Sequence, residues 1–294
     1  MAKSPFLERL SAGKALVLDG ATGTNLQTRG LPVGTPSDLW VMDNPEAVLA
    51  LHREFVAAGS DLILTNTFGS SRIHLGHAGL AERFEATNRQ AVALARQAVE
   101  GTGVMVGGSL GPLGEMVEPL GSLPEADAQA EYAAQARLLV EAGVDALVIE
   151  TQFDLVEARA ALRGVRFATE LPVVVSFSYD RGTRTMMGVK PGQMVQVFAE
   201  MGVAAVGINC GRSVDENFKV LQEVRALTDL PVWFKPNAGL PQAQADGSLV
   251  YSVRPEDMGA QAKLWLAAGA NLVGGCCGTS PDHLRAIAQA VKGQ

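Results

Sequence analysis

The sequence predicts an α/β protein folded as a single (β/α)8 TIM-type barrel, with residues 1–294 forming one domain. Three observations predict it. Eight short apolar runs each precede a longer stretch with apolar residues at helical spacing. The runs are almost continuously apolar, as parallel strands covered by helices should be. Spacings repeat as well: Leu171-Pro172-Val173 and Leu230-Pro231-Val232 stand 59 positions apart, as do Gly143 and Gly202. That repeat describes a unit of two β/α pairs, four to the chain.

In chain order the runs are 15–19, 61–66, 104–109, 146–150, 173–178, 205–210, 232–236 and 272–276. Between them, Leu155, Ala158, Leu162 and Val165, or Val214, Phe218, Leu221 and Val224, mark helix faces. Proline at the first helical position, with an acid beside it, starts helices at Pro45, Pro255 and Pro281. Gly59, Gly143, Gly202 and Gly269 precede the second, fourth, sixth and eighth runs, each fitting a helix C′ position that turns into a strand. The Leu-Pro-Val pairs open the fifth and seventh. An open doubly wound sheet is the alternative, but residues 19–24 lack the Gly-x-Gly-x-x-Gly spacing that it needs after its first strand. No linker divides the chain, and α/β barrels commonly run to about 250 residues as one unit.

Hydrophobic residues make up 47% of the chain and charged ones 19%, which supports a large core and excludes disorder. Lys+Arg total 24 against Asp+Glu 31, a net charge of -7, so nucleic acid and anionic membrane are poor partners. Charges break the first ten residues, and no run reaches the ~18 apolar residues of a membrane span. A soluble, cytoplasmic protein is expected.

Barrel chemistry sits at the C-terminal strand ends, and the reactive residues gather there. Asp19, Asn66 and Thr67, Ser109, Glu150 and Thr151, Asn209 and Cys210, Lys235 and Asn237, and Cys276 and Cys277 close seven of the eight runs. All 3 cysteines are on this rim. A lone cysteine reads as a small buried hydrophobe; three thiolates converging need a cation. Zinc favours sulfur, and three protein ligands leave the open position of a catalytic site. A substrate thiol there would be held deprotonated at neutral pH, which suits alkyl transfer to sulfur. Asp19 and Glu150 would hold an ammonium group, and the turn amides of Gly20, Ala21 and Thr22 a carboxylate. Together these describe a pocket for a thiol amino acid.

The motifs at 19–27 (Asp-Gly-Ala-Thr-Gly-Thr-Asn-Leu-Gln), 65–69 (Thr-Asn-Thr-Phe-Gly), 149–151 (Ile-Glu-Thr), 207–211 (Gly-Ile-Asn-Cys-Gly) and 274–279 (Gly-Gly-Cys-Cys-Gly-Thr) resemble the homocysteine S-methyltransferase family, in order from Leu16 to Arg285. The resemblance implies a homocysteine-binding barrel that makes methionine. It implies Zn2+ on Cys210, Cys276 and Cys277, and homocysteine contacts from Asp19, Glu150, Asn209 and the turn Gly20-Ala21-Thr22.

For the methyl donor, stretches 111–119, 177–188 and 235–239 are similar to bacterial enzymes that use betaine, with Asn66, Phe68 and Asn237 expected on the donor side. An aromatic cage suits a quaternary ammonium, yet Gly69 and Thr151 stand where animal betaine enzymes carry tyrosines; Phe68 remains, and Trp40 can approach. The alternatives are an S-methylmethionine-dependent enzyme, or the homocysteine module or subunit of a methylcobalamin/methyltetrahydrofolate-dependent methionine synthase. Because no Asp-x-His-x-x-Gly corrinoid-ligand motif occurs, a corrinoid donor would reside on a separate protein. A non-catalytic zinc-binding protein would have no use for Asp19 and Glu150.

Other residues are read more plainly. Lys235 occupies the place of an aldolase Schiff-base lysine, but a salt bridge or donor contact is the expectation. His52, His74, His77 and His283 read as surface residues. Met186 and Met187 fit the core or the donor side, and segment 107–114 resembles a phosphate loop in composition alone.

Overall fold

The computed structural model describes residues 4–244 and 249–293. Its strands are β1 (Leu16–Val17), β2 (Leu62–Leu64), β3 (Met105–Leu110), β4 (Ala146–Gln152), β5 (Val173–Phe177), β6 (Ala205–Cys210), β7 (Val232–Pro236), β8 (Pro241–Ala243), β9 (Leu249–Tyr251) and β10 (Leu272–Val273). All but β8 and β9 form one 8-stranded sheet in the order β1-β10-β7-β6-β5-β4-β3-β2, with every pairing parallel. A parallel bridge between Leu18 and Leu62 joins its two ends. The result is the expected (β/α)8 barrel. No helix of the described residues is long and apolar enough to cross a membrane.

The continuous apolar runs divide by alternation. Leu16, Leu18, Leu62, Leu64, Ala146, Val148, Val174, Ala205, Trp233 and Leu272 fill the barrel, with Phe6 of the N-terminal helix packed among them. Val17, Ile63, Leu147, Ile149, Val173, Val175, Ile208, Phe234 and Val273 face outward and form the larger core with the helices. Trp233 is bulky for a barrel interior, and Gly207 makes room for it: a Cβ there would lie 2.9 Å from Trp233 Cβ.

The punctuation falls where the sequence puts it. Helices begin at Pro45, Pro255 and Pro281. Gly59, Gly143, Gly202 and Gly269 all have positive φ, between 71° and 103°. Three runs are shorter than expected, 61–66 pairing as a strand only over Leu62–Leu64. Run 15–19 pairs as a strand only over Leu16–Val17, because the Asp19 carboxylate takes the Leu64 N–H at 2.7 Å, where a ladder carbonyl would otherwise serve. Run 272–276 leaves the ladder after Val273 as Gly274-Gly275 bends toward the mouth. The β8–β9 hairpin carried no signal in the sequence.

The histidine expectation needs correction. His52 is 1% exposed and His283 8%. His52 lies on the same inward helix face as Val48, Leu51 and Phe55, and His283 joins a capping arrangement with Ser280 and bonds the Val253 carbonyl at 2.9 Å. His74 is half-buried, and His77 is exposed.

Neither ring nitrogen of His52 meets a partner among the described residues, and burial lowers its pKa from 6.5 to about 4, Asp19 opposing weakly. The unfolded chain therefore takes up a proton at higher pH than the folded one. Stability contributed by neutral His52 is present above 6.5 and is lost as pH falls toward 4, about 2 kcal/mol of it by roughly pH 5. Urea midpoints at neutral pH and near pH 5 check this. His52→Leu should narrow the wild-type gap by that amount, and an unchanged gap would contradict it.

Candidate active site

Cys210 ends β6, while Cys276 and Cys277 follow the Gly-Gly bend after β10. Their sulfurs all lie within 4.8 Å of one another, Cys210 and Cys276 at 2.8 Å. The backbone fixes each. Cys276 N–H donates to Pro236 O at 2.9 Å, Cys277 O accepts from Ala238 N–H at 2.9 Å, and Cys210 O accepts from the Asn217 amide at 2.5 Å. Cys210 has φ 56° and Thr151 φ 60°, the described non-glycine residues in the left-handed region. Such strain persists where the surroundings over-determine it.

Unaided, the three thiols do not ionise together. Hydrogen bonds from Cys276 and Cys277, with burial, push Cys210 well up. The Cys210 bond pulls Cys276 down, but Cys277 and burial outweigh it and leave it at about 12. Hydrogen bonds from Cys210 and Cys276 lower Cys277. As a donor set the cluster fits a soft cation. Tetrahedral zinc with Zn–S near ~2.3 Å needs sulfurs about 3.8 Å apart, a spacing that three atoms within 4.8 Å can meet.

Two carboxylates and one lysine adjoin the cluster. Lys235 of β7 is 3% exposed, with Nζ 2.5 Å from Asp19 Oδ1. Burial pulls its pKa down, yet Asp19, Glu150 and Cys276 together hold it above the ordinary value. The salt-bridge expectation for Lys235 is thereby met. Glu150, on β4, accepts from Ser109 Oγ at 2.5 Å. Burial raises its pKa to about 7, with Lys235 opposing and Cys276 adding to the rise.

Of the turn amides, Ala21 N–H already donates to Thr279, at 3.2 Å to its carbonyl and to its hydroxyl. Gly20 must be glycine, since a Cβ would lie 2.9 Å from the Thr279 carbonyl oxygen. Thr22 opens the helix Thr22–Gln27.

Asn209 is fully buried between Thr151 and the thiols. Of the donor-side residues, Phe68 alone lines a cleft of 390 Å³ beside Thr151, with Phe153 and Met186 as further apolar wall and His74, Glu115, Glu157 and Asp180 as polar groups. Asn66 instead pins the loop after β1, bonding Ser37 at 2.9 and 2.8 Å. Asn237 donates to Gly211 O at 2.7 Å, and its Oδ1 has no partner among the described residues. Trp40 packs against the core. Tyr251, at the end of β9, escaped the sequence reading because its hairpin did. Its ring abuts Gly278, where a Cβ would lie 2.2 Å from Tyr251 Cγ. Burial and the three cysteines raise its pKa to about 12.

Known proteins are similar to this chain in sequence and in fold. The chain is 31% identical over 303 residues to a methionine synthase of Mycobacterium leprae (strain TN) and 30% identical over 295 residues to one of Mycobacterium tuberculosis (strain ATCC 25618 / H37Rv), covering 97% and 95% of this chain. It spans 25% of the length of each of these relatives. Among solved structures, the metallated form of the homocysteine methyltransferase MmuM from Escherichia coli superposes with TM-score 0.81 at 26% identity, over 95% of this chain and 97% of that one. A 3-dehydroquinate dehydratase from Geobacillus kaustophilus HTA426, 15% identical with TM-score 0.55 over 95% of this chain and 92% of that one, shares the barrel alone. Residues 16–291 match the model described as homocysteine S-methyltransferase, a span that runs from the first barrel strand through the last helix and takes in every rim cysteine. The chain belongs to the homocysteine S-methyltransferase family.

Proposed function

We propose that the chain is a zinc-dependent homocysteine S-methyltransferase that makes methionine from a small methyl donor. The convergence of the Cys210, Cys276 and Cys277 sulfurs within 4.8 Å carries this reading. When bound, zinc supplies Lewis acidity that keeps a thiol deprotonated at neutral pH. Cys210, Cys276 and Cys277 would hold the ion, and three protein ligands would leave room for a substrate sulfur.

Asp19 and Glu150 receive the homocysteine ammonium. Although Asp19 is engaged by Lys235 and Leu64, each of its oxygens has a second lone pair. Gly20 and Thr22 at the turn after β1 take the carboxylate, aided by the Lys235 charge. The sulfur lone pair forms the new S–CH3 bond, and the donor's methyl bond breaks with its electron pair leaving on the donor. A cationic donor therefore departs neutral. The cleft beside Thr151, with Phe68 and Phe153 as apolar wall and Glu157 and Asp180 as acids, suits such an onium head. Betaine is favoured within that class, ahead of S-methylmethionine.

A second reading is favoured by the span over only 25% of the two methionine synthases. There the barrel acts as a homocysteine module and takes its methyl group from methylcobalamin on a corrinoid protein. Zinc-loaded protein given homocysteine with betaine, S-methylmethionine, S-adenosylmethionine or methylcobalamin separates the two. Methionine from an onium donor supports the first reading, methionine from methylcobalamin alone the second, and methionine from none of them contradicts both.

A further inference from the structure

We propose that Asn209 is a positioning residue for the thiol cluster: its amide N–H donates to the sulfurs of Cys210 and Cys276 and sets them as a ligand pair. The assignment rests on the zinc reading above but concerns a side chain that need not touch zinc or homocysteine.

Hydrogen bonding fixes which way this amide points. Asn209 Oδ1 accepts from Ser176 Oγ of β5 at 2.6 Å and from Thr151 N–H at 2.9 Å. Thr151 N–H can only donate, so the reversed amide would set two donors against each other. Nδ2 is thereby directed to Thr151 Oγ1 at 2.7 Å and to the sulfurs, at 3.6 Å from Cys210 and 3.9 Å from Cys276. One hydrogen serves the threonine, and the other lies between the thiols. The whole side chain is buried, with Asn209 0% exposed.

The same side chain adjoins both strained residues. Cys210, at φ 56°, is its covalent neighbour, and Thr151, at φ 60°, is bound through both its N–H and its hydroxyl. Left-handed backbone at such residues is unfavourable and lasts only when surrounding contacts enforce it. A single buried amide thus ties the ends of β4, β5 and β6 to Cys276 after β10. N–H donation to a thiolate offsets part of its charge and orients its lone pairs. Outer partners of this kind commonly govern metal affinity by about 10–100-fold.

The test uses the full chain. Asn209→Asp keeps the shape but replaces the donor by an anionic acceptor facing the sulfurs. Ser176→Ala leaves Asn209 in place, removes one of its two orienting bonds, and carries the test if N209D fails to fold. Zn2+ affinity is measured by competition with a chromophoric chelator, and the thiolate-to-metal charge-transfer band is recorded with Co2+. N209D should bind Zn2+ about 10–100-fold more weakly with a shifted band, and S176A should move both in the same direction by less. Wild-type affinity and an unmoved band in both variants would overturn the assignment alone. A wild-type protein that binds neither ion would overturn the zinc reading and this assignment with it.

Discussion

Cys277→Ala is expected to lose metal and methyl transfer together. Alanine removes one of three sulfurs that lie within 4.8 Å of one another and leaves a two-sulfur site. Deleting an outer partner alone costs about 10–100-fold in metal affinity, so losing a ligand should exceed that range, and turnover should fall to background at ordinary zinc concentrations. Fold is not at stake, because Cys277 is half-buried at the mouth and belongs to neither apolar core. Equilibrium dialysis for zinc and a methionine assay on the same preparation check the prediction. A variant that is metal-free yet fully active would contradict it.

The second large effect is on stability. Lys235→Met leaves Asp19, 1% exposed, without its cation. Removing one partner of a buried ion pair typically costs 3–5 kcal/mol, where replacing both can be close to neutral. About 3 kcal/mol is expected from K235M by urea denaturation, since Leu64 N–H still stabilises the carboxylate at 2.7 Å. The double variant with Asp19→Asn should recover most of it. If K235M costs as little as a surface substitution, or the double variant costs the sum of the singles, the pair does not hold the barrel seam. The same residue answers the aldolase alternative, because an amine held at 2.5 Å by Asp19 is a cation and not the free nucleophile that Schiff-base formation needs.

Much of this was legible in the sequence because strand ends are a one-dimensional address. Once runs 205–210 and 272–276 were read as strands of one barrel, Cys210, Cys276 and Cys277 fell on a single rim, and the structure brings them into contact. Proline and glycine gave helix limits for the same reason, since each acts on its own backbone.

Features that depend on a partner far along the chain stayed hidden. Nothing near Asp19 announces that Lys235, 216 positions away, will meet it, or that its carboxylate will replace a ladder carbonyl to β2. Asn66 and Asn237 belong to strand ends, yet their side chains turn to Ser37 and Gly211, because a residue's position on the rim does not set its rotamer. The inward histidines were recoverable. His52 shares a helical face with Val48 and Phe55, and that spacing outweighs the polarity of one side chain. Tyr251 lay beyond reach, since short strands of mixed exposure such as Leu249–Tyr251 carry little periodic signal.

On the proposed function, Cys210, Cys276 and Cys277 would hold a metal with one place left for a substrate thiol. X-ray absorption at the zinc edge counts sulfur neighbours at about 2.3 Å directly. Three sulfurs are expected in the zinc-loaded protein and four after homocysteine is added; a count that stays at three, or that starts at four, would contradict a three-cysteine site open to the substrate thiol.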